Sequence, residues 1–228
     1  MDILDKYQLK EWWIESLTAS QRNQVSNDYR PMGFPVSDAP YLYQNVDKTY
    51  FSDGAGKLGL LLTLSIIADG EAKEIIRTKA EEELFLCYRV FDGNLIDIHL
   101  ALASLIKHYY PLRANQTHYE KAKELCLMQI SFASKVAKKF RHPKKPKELK
   151  RLHKITGIRH PYYDEPQMLP SHTGYKQLAI ILEKEGDIKS AIKLSKQALK
   201  QGWTDDYEKR IERLNKKLAR KVIKKTSL

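Results

Sequence analysis

Apolar residues recur at helical spacing along most of the chain. Over Leu4 to Ser16, Leu4, Leu9, Trp12, Trp13 and, just beyond, Leu17 follow a loosely helical spacing, which predicts a first helix docked by one of its two tryptophans. Thr18-Ala19-Ser20-Gln21 has the S/T-x-x-Q form of a capping box and predicts a second helix, running to about Tyr29. Arg30-Pro31-Met32-Gly33 and Pro35 stop it, and Pro31 to Ser52, rich in Tyr, Pro and Asp without a stable period, reads as a wrapping loop. Further helices are predicted over Lys57 to Ala68, Glu71 to Phe91, Ile96 to Leu112 and Tyr119 to Phe140. The joints between them are short, so neighbours are expected to pack antiparallel. Arg141 to Pro170 holds Pro143, Pro146, Pro161, Pro166 and Pro170, a composition that suits a linker with one short helix near Glu148 to Ile155. The pattern therefore predicts an all-α protein in four parts: helices and loop over 1–56, a core of two helix pairs over 57–140, a basic linker over 141–170, and a last helical block over 171–228.

That last block has the most specific pattern. From Gly174 the chain reads Gly-Tyr-Lys-Gln-Leu-Ala-Ile-Ile-Leu-Glu-Lys-Glu-Gly-Asp-Ile-Lys-Ser-Ala-Ile-Lys-Leu-Ser-Lys-Gln-Ala-Leu. Small residues at Ala179, Ala191 and Ala198 would let two helices approach closely, with Leu178, Leu182, Ile188 and Ile192 filling the gap. The stretch resembles a tetratricopeptide repeat over about 172–205. Tyr175 stands at the family's first aromatic position, Leu178 and Ala179 at its Leu-Gly pair, Gly186-Asp187 at the interhelix turn, and Ala191 and Ala198 at its small positions. Ser195 departs from the pattern, replacing a large apolar residue, and Trp203 falls where Pro commonly opens the next unit. Asp205-Asp206-Tyr207-Glu208 then caps a final helix carrying Ile211, Leu214, Leu218 and Val222, which reads as the solvating cap of a stack.

The resemblance implies antiparallel helix pairs stacked as a short right-handed array, and a protein that binds a protein or peptide partner in a groove. The groove would be built from Ile96 to Leu112 and Thr173 to Lys184, with His99, Lys107, Tyr175, Lys176 and Lys184 as its candidate contacts. One repeat cannot bury its own face, so the remaining helix pairs are its expected partners, and apolar ends left over would allow a homo-oligomer. The run from Leu169 to Ile181, with Gly202-Trp203 and Arg210-Ile211, is also similar to small uncharacterised bacterial and phage proteins, a likeness that carries no activity.

Charge adds a second theme. The net charge is +12, and it is concentrated: ten Lys/Arg face Glu148 alone between Lys138 and Arg159, and nine face Glu212 alone between Lys209 and Lys225. These runs carry +9 and +8, which leaves −5 for the rest of the chain. They fit a solvated surface or a polyanion-binding one. On the second reading the chain associates with nucleic acid, and Lys144, Lys145, Lys147, Lys150, Arg151, Arg210, Arg213 and Lys217 contact phosphates without reading sequence.

Catalytic patterns are scarce. Gly54-Ala55-Gly56-Lys57-Leu58-Gly59 spells G-x-G-x-x-G, but only Thr49-Tyr50-Phe51 could supply a preceding strand and no βαβ alternation follows. Seven histidines occur without H-E-x-x-H or a paired C-x-x-C, so no metal, cofactor or enzymatic activity is expected. Cys87 and Cys126 sit in apolar helical settings and read as buried thiols of a reducing compartment. The acidic start M-D-I-L-D-K-Y and an apolar stretch, Leu58 to Ala68, too short to span a bilayer lead to a cytoplasmic protein without a membrane partner.

Overall fold

Every regular element among the described residues is a helix, and an isolated bridge between Leu169 and Trp203 is the one extended pairing there. The computed structural model describes residues 1–30, 40–44, 56–90, 95–141, 146–159 and 168–226. The all-α expectation holds over them, and none of their helices is long and apolar enough to cross a membrane. The chain divides into two compact units, Met1–Ala101 and Leu102–Leu228.

In the first unit the predicted opening helix is broken into α1 (Ile3–Lys6) and α2 (Lys10–Ser16). A continuous helix would turn Leu9 about 140° away from Leu4. A left-handed Gln8, φ 55°, breaks the ladder so that Leu4 and Leu9 are both buried. Trp13 is the tryptophan that docks, 1% exposed, and its indole N–H donates to the Tyr43 hydroxyl at 3.1 Å. The capping box forms as the sequence predicts. The Gln21 N–H donates to Thr18 Oγ1 at 3.3 Å and the Thr18 N–H to Gln21 Oε1 at 2.8 Å, starting α3 (Ala19–Asp28). The helices α4 (Lys57–Ile67) and α5 (Gly70–Val90) pack together. Small Ala72 and Ala80 on α5 and large Leu61 and Leu64 on α4 are buried in one core with Trp13 and Val25.

The helix α6 (Leu95–Tyr109) stops before Pro111, which cannot donate a ladder hydrogen bond, and a 3-10 turn follows over Tyr110–Leu112. Asn115 then caps α7 (Gln116–Ser131), accepting from the Thr117 and His118 N–H groups at 2.8 and 3.4 Å. The sequence predicts one helix to Phe140, but the chain turns at Phe132 and resumes as α8 (Ala133–Arg141). The buried series Ala122, Leu125, Cys126, Gln129, Ala133, Val136 keeps its period across the break, so periodicity does not register it. The Ser131 hydroxyl, donating to the Met128 carbonyl at 2.7 Å, marks the competing bond.

The linker holds α9 (Pro146–Thr156), longer than the short helix foreseen there, and the last block holds α10 (Thr173–Lys184), α11 (Ile188–Gln201) and α12 (Tyr207–Thr226). Gly186-Asp187 is the turn, with Asp187 Oδ1 accepting from the Ser190 N–H at 3.0 Å. Ala179, Ala191 and Ala198 are fully buried, and Leu178, Ile188 and Ile192 pack as the pattern requires. Ser195, the departure from that pattern, is buried and donates to the Ala191 carbonyl at 2.8 Å. The helix α10 packs on α7 and α11, and α11 packs on α12 through Ile188, Ala191, Ile192 and Leu214. Adjacent helices thus stack as pairs, compatible with a helical repeat.

Candidate functional site

The N-terminus of α10 is locked from three directions. Its second N–H, from Gly174, donates to the buried Gln129 side chain on α7 at 2.6 Å, and its third, from Tyr175, donates to His172 Nδ1 at 3.2 Å. Since Nδ1 accepts, the His172 proton sits on Nε2. The His172 ring meets Trp203 edge-on at 4.6 Å and tilts against Tyr175 at the same distance. Gln201 Oε1 accepts from both the Tyr175 hydroxyl, at 3.2 Å, and the Trp203 indole, at 2.9 Å. The end of α11 is closed by Gly202, φ 81°, and by Arg141 Nη2, which donates to the Gln201 carbonyl at 2.6 Å. His172, Tyr175 and Trp203 at the centre of this cluster are buried, and the contacts around them hold α7, α8, α10 and α11 together.

Of the residues expected at a groove, Tyr175 belongs to this packing. Tyr175 is fully buried, and burial raises its hydroxyl above the ordinary range. His99 is buried in the first unit, where desolvation lowers it to about 4 and keeps it neutral. Lys107, Lys176 and Lys184 are exposed. Lys176 pairs with Asp205 at 3.2 Å, and the Lys184 ammonium lies 5.5 Å from the centre of the Tyr110 ring. Cys126 is buried as foreseen, its thiol pushed up to about 12 by desolvation, while Cys87 is half-buried.

The basic residues separate in a similar way. Lys144 and Lys145 lie outside the described residues, as do Gly54 and Ala55 of the G-x-G-x-x-G run. Arg210 is 6% exposed and held by Asp206 at 3.1 Å, so it is spent on structure. Arg213 grips Glu183 of α10 with both guanidinium arms, at 2.5 and 2.7 Å, and Lys217 adds a contact at 3.1 Å. The hydrogen bond from Arg213 lowers the Glu183 carboxyl to about 2. A group lowered on folding stabilises above its unfolded value, near 4.5, and loses that contribution as pH falls toward 2. Arg213 and Lys217 are half-exposed, so screening limits the tie to about 1 kcal/mol. Glu183→Gln should therefore lower stability by that amount at pH 7 and by nothing near pH 2, read from urea melts at the two pH values.

Sequence reading did not single out Lys209, Lys216 and Arg220, which the structure brings into one stripe with Arg213. Their i, i+7 and i+11 spacing was the available signal. Together with Glu212, Arg213 and Lys217 they line an open cleft of about 520 Å³ along α12. None of these three cations pairs with a carboxylate among the described residues. The exposed Lys147, Lys150 and Arg151 stand apart on α9, where Glu148, Arg151, Leu152 and Ile155 line a smaller depression of about 370 Å³. Among the described residues no group of three His, Cys, Asp or Glu side chains could share a metal ion. In comparisons with known proteins, no family model, no curated protein and no solved structure matches the chain.

Proposed function

We propose that this protein is a non-enzymatic adaptor, a short tetratricopeptide-like right-handed array capped by α12, that binds an acidic segment of a protein or peptide partner along α10 and α12. The observation that carries the reading is the cleft on α12, lined by five cations and a single carboxylate, Glu212. Of these cations, Arg213 already holds the Glu183 carboxylate by a two-armed fork, the geometry an Arg uses to recognise such groups. On α10 the face carrying Lys176, Ile180, Glu183 and Lys184 follows i, i+4, i+7, i+8 spacing, so it adds an apolar contact between charges. Glu183 and Glu212 within this surface disfavour an unbroken polyanion and favour a peptide that mixes carboxylates with apolar side chains. The buried lock at the start of α10 makes the platform rigid, which lowers the ordering cost of binding.

Exposed ion pairs are each worth about 0.2–1 kcal/mol, so the complex should be salt-sensitive. The test is fluorescence anisotropy of the full chain with labelled Glu/Asp-rich peptides carrying interspersed Leu, beside K209E/K216E/R220E. The wild type should bind and the triple variant should lose roughly tenfold or more in affinity. Equal binding by both proteins, or none by the wild type at low ionic strength, contradicts the reading.

A further inference from the structure

We propose a second binding surface, independent of the α10/α12 face: the outer side of α9 docks on the phosphate backbone of nucleic acid, without reading its sequence. Lys147, Lys150, Arg151 and Lys154 stand at i, i+3, i+4 and i+7 on this helix, and all four are exposed. At about 100° per residue they fall within an arc of about 100°, a single row of four positive charges roughly 10 Å long. Among the described residues none of the four makes an ion pair. Glu148, the one acidic residue of α9, falls outside that arc.

Such a row opposes the helix that carries it. Like charges at i, i+4 repel, and the row contains two such pairs, Lys147 with Arg151 and Lys150 with Lys154. A dense line of negative charge removes that repulsion. Duplex DNA presents about one phosphate charge per 1.7 Å of axis, so a row of this length lies against more phosphates than it has cations.

The same helix argues against two other occupants. Leu149 is buried and Leu152 half-buried, and both lie on the side opposite the row, so an approaching bilayer would meet cations without the apolar face that an interfacial helix inserts. Ile155 and Ile158, 72% and 71% exposed, stand outside the row at the end of the helix. An acidic peptide is better matched by the α12 cleft, where Glu212 and the neighbouring Glu183 break up the positive charge; the α9 row has no carboxylate within it.

The test is anisotropy titration of the nuclease-treated full chain with two labelled duplexes and two single strands of unrelated sequence, over a series of salt concentrations. Three variants run beside it: K147Q/K150Q/R151Q/K154Q, the charge-preserving K147R/K150R/K154R, and K209Q/K216Q/R220Q on α12. The wild type should bind both sequences alike, with log K falling against log salt at a slope near −3 or steeper, about 0.9 per phosphate neutralised. The Gln variant, checked for native helicity by circular dichroism, should lose roughly tenfold or more in affinity at low salt and flatten the slope by about 3. The Arg variant and the α12 variant should bind as the wild type does. A wild-type slope shallower than about −2, which needs no variant to fold, overturns the proposal. So does undiminished binding by the Gln variant, loss of binding only in the α12 variant, or equal binding to phosphatidylserine vesicles or polyglutamate that the Gln variant also loses.

Discussion

Trp203→Ala should cost the second unit about 3–5 kcal/mol. Trp203 is 2% exposed and closes the repeat-like pair from outside. Its ring stacks edge-on against His172 at 4.6 Å and Phe140 at 6.2 Å, so one side chain braces both the cap of α10 and the end of α8. The backbone around it is also tied down. Leu169 bridges to Trp203, and the Thr204 N–H and hydroxyl donate to the Pro170 and Leu169 carbonyls at 3.3 and 2.5 Å. Truncation leaves a cavity lined by the buried His172 and the Phe140 ring, and it strips the indole donor from Gln201. Urea unfolding followed by circular dichroism gives the size of the loss. Hydrogen exchange gives its place: the amides of α10 and α11 should lose protection while those of α4 and α5 keep theirs. A loss below about 1 kcal/mol would show that the pair stands without its aromatic brace.

Gly174→Ala is the second large effect, about 1–3 kcal/mol against the native state. Alanine normally favours a helix, so the expected sign runs against propensity. The reason is proximity. A methyl group at this position would stand 2.7 Å from Gln129 Oε1 and 3.0 Å from the Cys126 carbonyl oxygen, and the carbonyl belongs to the α7 ladder and cannot step aside. The pair is also coupled. Gln129→Ala removes the nearest of these atoms but leaves the Gly174 N–H buried without its acceptor, itself worth about 1–3 kcal/mol. The double variant should therefore lose less than the two single losses combined, by at least about 0.5 kcal/mol. Additive losses would mean that the approach of α10 to α7 does not limit the site.

The residues that were legible in the sequence are those whose reason is local. The Thr18 box, the Gly186-Asp187 turn, the three small alanines and the gap-filling Leu178, Ile188 and Ile192 all stand where their spacing predicts, because each depends on neighbours within one turn or one pair of consecutive helices. The break at Gln8 could be inferred only from the misfit between Leu4 and Leu9, and the break at Phe132 left no trace in the apolar period. What the pattern could not supply is pairing at long range. Gln129 caps a helix 45 residues away, Arg141 caps another 60 residues away, and Glu183 draws Arg213 in from 30. For the same reason Tyr175 reads as a groove residue in one dimension. In three dimensions it is a wall of the His172 and Trp203 cluster, and the exposed face of α10 passes instead to Lys176, Ile180 and Lys184. Charge behaves likewise, since a basic run shows how many cations there are, whereas only the helix phase shows which of them share a side.

The adaptor reading is tested most directly by titrating the isotope-labelled full chain with an acidic, Leu-containing peptide and following backbone amide shifts by NMR. The account predicts perturbations that cluster on Lys176, Ile180, Glu183 and Lys184 of α10 and on Lys209, Arg213, Lys216 and Arg220 of α12, with α4 and α5 unmoved. Shifts confined to α9 or to the first unit, or none at saturating peptide, would contradict it.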